Sequence, residues 1–259
     1  MDLRFQRTKD SFLRSLEITT KPPSFYNQYI KALFLAYINT QENVDNINDA
    51  VKLLPYCKGV ERFVCWISPD SVDSRLADVI SVMRPRRLVA RLTNLFDTQQ
   101  PNFSLPFFDN VTHLEITDLF EWTAWSGIHR LPHLSHILLH VAEYYWTETM
   151  RTNAVQVVND LLSQCGTLRV CVISHDDVDP VVDTFESIED ARLVFVSEPI
   201  VIDLDWHAFM GGTPDTWVYA GRAVAIQRRV GRIQARLVHQ DFIRVGRSGY
   251  GDGRLDDRW

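Results

Sequence analysis

The chain is expected to fold as an α/β protein in which a curved parallel sheet is built from repeated strand–turn–helix units, with the helices on the convex side. Three observations lead there. First, two stretches register at a step of 23 positions: Val111, Leu114 and Ile116 fall over Leu134, Ile137 and Leu139. An apolar turn precedes each one (Phe107 and Phe108; Ile128 and Leu131). Second, Leu53-Leu54-x-x-Cys57-x-x-Val60-x-x-Phe63 and Leu161-Leu162-x-x-Cys165-x-x-Leu168-x-x-Cys171 share five spaced positions across 108 residues. Third, strand starts at Ile30, Val60, Leu88, Val111, Leu134, Leu168 and about Ala191 follow one another at steps of 30, 28, 23, 23, 34 and 23. A unit recurring at about 20–35 residues with variable outer segments marks a solenoid, because no unit alone can cover its apolar strand and turn.

Residues 1–25 are polar, and Lys21-Pro22-Pro23-Ser24 breaks regular structure, so they read as an N-terminal extension. Tyr29 to Leu35 is β-branched and aromatic, which predicts a strand. Asp45 to Tyr56 and Ser71 to Met83 carry apolar residues at helical spacing, the second stopped by Arg84-Pro85. Leu88 to Leu92 is a short strand, and Thr152 to Gln164 is the most regular helix. Asp179 is placed to cap a helix whose first residue is Pro180 and which runs to about Asp190, before a last strand Leu193 to Val196. Repeats therefore fill 26–229, of which 213–229 is a helix started by Thr213-Pro214-Asp215 that closes the end of the stack. Residues 230–259 are rich in Gly, Arg and Asp and read as a flexible basic tail.

With 259 residues, 46% of them hydrophobic, the chain can bury a sizeable core. The net charge of −6 is uneven: nine Arg and four Asp from Gly221 onward carry +5, leaving −11 on the body. An acidic body argues against a nucleic-acid binder. No apolar run reaches the ~18 residues of a membrane span. The four cysteines sit inside apolar runs, without Cys-x-x-Cys spacing, as small hydrophobes in a reducing compartment, cytoplasmic or nuclear.

Units carrying Leu54-x-x-Cys57-x-x-Val60, Phe108-x-Asn-Val111-x-His-Leu114 and Leu131-Pro-x-Leu134 resemble leucine-rich repeats. With the closing Asp205-Trp206 and Gly211-Gly212-Thr-Pro-Asp-Thr-Trp217, the chain from Phe25 to Arg229 resembles the irregular leucine-rich-repeat region of fungal F-box-type proteins. That resemblance implies a module recruiting a partner protein, with ubiquitin-ligase components among its partners. No Leu-Pro-rich F-box stretch occurs in the first 30 residues.

Strand side chains alternate, so the residues between the inward apolar ones should point to the concave face. They are Phe34, Val64, Glu115, Leu138, Val172 and Phe195, flanked by Arg62, Trp66, His136 and His140 among others. Five of the six central positions are apolar, too many for a face washed by solvent. Either the sheet is covered on both sides, or this column is a partner-binding patch with Trp66 and Arg62 as anchors.

No cofactor, metal or catalytic motif is expected: the chain contains no nucleophile elbow, no Walker loop, and no Gly-x-Gly-x-x-Gly between strand and helix. His136 and His140, four apart on a strand, lie about 13 Å apart and cannot share an ion. Non-catalytic protein binding is therefore the expected function. The alternative is a hydrolase-type α/β enzyme that uses the loop of His175 and Asp177; it calls for a doubly wound sheet with those side chains converging on a cavity.

Overall fold

The computed structural model describes residues 6–18, 21–37, 43–67, 74–96, 98–118, 121–141, 146–175, 178–196 and 214–230. Seven strands form one all-parallel open sheet whose spatial order is their sequence order. They are β1 (Ala32–Tyr37), β2 (Arg62–Ile67), β3 (Arg87–Ala90), β4 (His113–Ile116), β5 (His136–His140), β6 (Val170–Ser174) and β7 (Leu193–Val196). One register column runs Leu33, Phe63, Leu88, Leu114, Ile137, Cys171 and Leu193 across all seven strands. The doubly wound order required by the enzyme alternative does not occur.

Before the sheet proper, the units that enter β2, β4, β5 and β6 make the same backbone turn. The N–H groups of Val60, Val111, Leu134 and Leu168 donate to the carbonyls of Cys57, Phe108, Leu131 and Cys165, three residues back. A carbonyl line follows: Lys31, Glu61, Arg86, Thr112 and Ser135 each accept two consecutive N–H groups of the next unit. These repeated turns bury the side chains that registered in the sequence, since Val60, Val111, Leu134 and Leu168 are all in the core.

Among the described residues, seven helices cover one face: α1 (Gln6–Ile18), α2 (Pro23–Tyr29), α3 (Asn43–Leu53), α4 (Ser74–Ile80), α5 (Leu92–Leu95), α6 (Glu148–Gln164) and α7 (Val178–Thr184). Single 3₁₀ turns at Leu54–Tyr56, Pro106–Phe108, Glu121–Ala124 and Ile128–Arg130 serve where helices are short or missing. Leu33, Phe63, Leu88, Leu114, Ile137 and Cys171 meet Leu53, Leu76, Phe107, Trp122, Ile128 and Val158 in one continuous core. Asp118 ties two units together: its buried carboxylate accepts from the N–H groups of Leu92 and Thr93 and from the Thr93 hydroxyl, capping α5. At the last unit, Arg192 donates to the Leu168 carbonyl and ion-pairs with Asp190 at 2.7 Å, which holds the Asp190 carboxyl below its ordinary range.

Several elements differ from expectation. Residues 6–18 and 23–29 are helical and close the β1 end, with Phe12 and Tyr26 in the core and their rings 5.6 Å apart. Pro23 at the start of α2 needs no N–H bond there, so the proline pair starts a helix instead of preventing one. Tyr29 ends that helix, and β1 begins three residues later than Tyr29. Helix α7 starts at Val178, which puts Asp179 and Pro180 inside its first turn, and it stops at Thr184 rather than near Asp190. Residues 197–213, including Asp205-Trp206 and Gly211-Gly212, lie outside the described residues, as does the tail from 231 onward.

The expected capping helix is α8 (Thr216–Val230), and it does not close the end of the stack. It lies on the second face of the sheet, where Trp217, Ala220, Ala223 and Val224 pack on Leu138, Val170, Val172 and Val194. Covering that strip of four apolar side chains from three strands takes their surface out of water, which favours this position of the helix.

Gly59 shows how closely α2 approaches the first turn. A Cβ there would come within 1.7 Å of the Asn27 carbonyl oxygen, a backbone atom. Gly59→Ala is therefore expected to cost on the order of 1–3 kcal/mol by forcing α2 away. A shift in the urea midpoint at unchanged slope measures it, and an unshifted midpoint contradicts this packing.

Candidate binding face

The second face of the sheet carries three rows of side chains. The middle row is Phe34, Val64, Val89, Glu115, Leu138, Val172 and Val194. Every member is buried. Phe195 is not in it: Val194 pairs with Val172, and Phe195 is one step along, on the helix-covered face beside Phe185 with rings 6.0 Å apart. A one-residue difference in strand register moves a side chain to the opposite face, and the two-residue period leaves no intermediate.

The lower row is Ala32, Arg62, Arg87, His113, His136 and Val170. The imidazoles of His113 and His136 stack in parallel, 4.1 Å apart at 3°, and the Trp217 indole stands nearly perpendicular to both at 5.4 and 5.8 Å. Their tautomers follow from the hydroxyls beside them. Thr112 Oγ1 donates to the Arg86 carbonyl and Ser135 Oγ to the Thr112 carbonyl, so each hydroxyl has spent its one proton. Each must then accept from the adjacent imidazole, Nδ1 of His113 at 2.9 Å and Nδ1 of His136 at 2.8 Å. Both rings are neutral with the proton on Nδ1.

Burial pushes His113 down to about 3, helped by His136, Arg87, Arg62 and Arg86. Burial likewise pushes His136 down to about 4, with Arg169 and Arg87 adding to it and Asp215 opposing. Asp215 is the acid of this corner. Its Oδ2 accepts from Arg87 Nη1 at 2.9 Å, and its Oδ1 accepts from the Val218 N–H at the start of α8.

The upper row, at the carboxyl ends of the strands, holds Trp66, Arg91, Thr117, His140 and Ser174; Thr117 and Arg91 sit one residue past β4 and β3. His140 Nε2 bonds Glu115 Oε1 at 2.9 Å, both side chains buried, and the His140 carbonyl accepts from Trp122 Nε1 at 2.8 Å. Nδ1 of His140 and Oγ1 of Thr117 are buried without a hydrogen-bond partner among the described residues. Arg91 pairs with Glu121 at 3.0 Å.

Compared with family models, curated proteins and solved structures, the chain matches none. Its chemistry therefore rests on these rows alone. Ser174, His140 and Glu115 come from neighbouring strands and are the residue types of a nucleophile–base–acid set. All three are more than nine-tenths buried. His175 follows β6 and is buried, whereas Asp177 lies outside the described residues. No group of three His, Cys, Asp or Glu that could hold a metal occurs among the described residues. The four cysteines are free and buried, and burial pushes the Cys57 and Cys171 thiols up to about 12, which keeps them protonated and inert. No helix among the described residues is long and apolar enough to cross a membrane.

Of the ten residues expected to bind, Phe34, Arg62, Val64, Glu115, Leu138, His140 and Val172 are on the second face but buried. An open patch across them is thereby corrected: Leu138 and Val172 lie under α8 itself. Trp66 and His136 stay on that face and only part-buried. Arg62 is buried and cannot be the exposed anchor; Arg91, part-buried and next to Trp66 by register, has that position. Arg91, Arg87 and His113 are not among the residues expected to bind, and Asp215 is expected only as part of a helix start. The two-residue alternation through Leu88 to Leu92 and the step from His113 to His136 were the signals that could have found three of them.

Proposed function

We propose that the chain is a non-catalytic recruiting module: an irregular leucine-rich-repeat-like solenoid that captures another protein on the carboxyl-end margin of its second sheet face. One observation carries it. Trp66 and Arg91, neighbours by continuation of the β2–β3 register, are an aromatic and a guanidinium that keep part of their surface in solvent at the carboxyl-end margin, beside a middle row that is wholly buried. Trp and Arg are the side chains most enriched among residues that dominate binding energy. The sequential strand order and the turn repeated in unit after unit support the repeat architecture. Ubiquitin-ligase components remain the partners to look for first, on the resemblance to F-box-type repeats.

Trp66→Asp is expected to lower retention of the captured partner by at least tenfold, on the scale of a single interface hot spot of about 2 kcal/mol. Affinity capture with wild-type and variant chains, read by quantitative mass spectrometry, measures it, with the circular-dichroism melt as folding control. Equal retention by a folded variant removes this margin from the binding surface. Leu138 is unsuited to the same test, since its substitution would loosen α8 as well.

A further inference from the structure

We propose that the face formed by β5, β6 and β7 is a groove for an amphipathic helix, and that α8 is an exchangeable occupant of it. This rests on the recruiting role given above and names the chemistry of a second partner element. The helix that fits is written in α8. It carries an acid two residues before a Trp, small apolar residues three, six and seven positions after that Trp, and an amide at the tenth, as in Asp215, Trp217, Ala220, Ala223, Val224 and Gln227.

Each position has a distinct receptor. Arg87 takes the acid, the stacked His113 and His136 take the indole, and Leu138, Val170, Val172 and Val194 take the small residues. The Leu193 carbonyl takes the amide N–H. This is the helix-in-groove mode of recognition, with anchors spaced along one helical face.

Four features mark α8 as an occupant and not a pillar of the fold. Its apolar contacts form a cluster separate from the main core, which is closed on the other side of the sheet without it. Only one large side chain, Trp217, enters the face; the rest of its footing is two alanines and a valine. Its far end is imperfect, because Gln227 Oε1 is buried without a hydrogen-bond partner among the described residues. Its outer side leaves Val218 and Ile226 exposed, 43% and 37%. A partner helix that satisfies the amide and adds apolar volume would bind the same groove more strongly.

A tethered helix competes at an effective concentration of about 1 mM, so a free peptide at about 10 μM displaces only some 1% of an equally good resident. The test therefore weakens the resident. A labelled peptide of residues 214–230 is titrated by fluorescence anisotropy into full-length wild type and full-length Trp217→Ala. It is expected to bind the variant at least tenfold more tightly than wild type, and a peptide bearing the same Trp→Ala change is expected to lose that binding. A folded variant that takes up the peptide no better than wild type overturns the proposal.

Should Trp217→Ala fail to fold, hydrogen exchange on the unmodified chain decides. Amides of α8 are expected to exchange at least 100-fold faster than those of β4 to β6, as a locally opening unit. Equal protection makes α8 part of the global fold and overturns the exchange. Neither measurement uses the captured partner or Trp66. Loss of the recruiting role thus shows in capture by Trp66→Asp, and loss of the helix groove shows here.

Discussion

Trp122→Ala is expected to lower the unfolding free energy by about 3–5 kcal/mol, the range for truncating a fully buried large aromatic. Trp122 is completely buried on the 3₁₀ turn that takes the place of a helix between β4 and β5. Its loss opens a cavity in the main core and also strips the His140 carbonyl of its donor at 2.8 Å. That carbonyl belongs to His140, whose side chain pairs with the buried Glu115, so the backbone that carries the pair loosens as well. Trp122→Phe separates the two effects: it keeps most of the volume and loses only the hydrogen bond, with about 1–2 kcal/mol expected. Urea titrations of the three proteins measure both steps. A loss under about 1.5 kcal/mol for the alanine variant means that this turn is not packed as described.

The second large effect is acid destabilisation through the stacked imidazoles. His113 and His136 lie at about 3 and about 4 in the folded chain, below their ordinary 6.5. Between 6.5 and those values the unfolded chain holds protons that the folded one refuses. Stability is therefore fully present above about pH 6.5 and falls as pH drops toward 4, on the order of 1 kcal/mol per pH unit for His113 and less for His136, whose greater exposure lets solvent screen its charge. Asp118 acts in the opposite sense. Burial raises its carboxyl to about 6 against the pull of its three hydrogen bonds, so its share of stability grows as pH falls through that value. Comparing wild type with His113→Gln/His136→Gln cancels Asp118, which both chains carry. The stability difference between them is expected to hold above pH 7 and to move steadily against wild type below 6.5. Parallel curves down to pH 4.5 would mean that the rings are protonated at no cost. Because Trp217 rests on both rings, α8 is the first element that acid should loosen.

Where the strands lie was legible because each is preceded by a turn that must bury its apolar corner. Val60, Val111, Leu134 and Leu168 mark four of them, and the paired Leu-Leu-x-x-Cys motifs mark two helix ends that make equivalent turns. The N-terminal helices were not legible. Gln6 to Ile18 is polar on average, and the stripe that seats it on the core is narrow, resting on Phe12, Leu13 and Leu16, so its low apolar content hides a helix whose spacing is nevertheless amphipathic. The middle row is legible except at its third and last positions. A strand start at Leu88 lies one residue into β3 and leaves Val89 out of the row, and a start at Ala191 puts Phe195 in place of Val194, a shift of one. That the row was too apolar for solvent was correctly sensed, but its cover could not be. The covering helix is remote in sequence, and its approach depends on Arg87 meeting Asp215, a pair 128 positions apart that no local pattern encodes.

Because every strand borders only its predecessor and successor, the molecule has two ends in space that coincide with the two ends of the sheet. Tension applied across β1 and β7 would meet the modules one after another, and each would yield when its own row of backbone bonds is peeled. The force trace should then resemble the opening of a zipper, with several small releases in sequence, and not the single snap of a sheet whose terminal strands sit side by side in its middle.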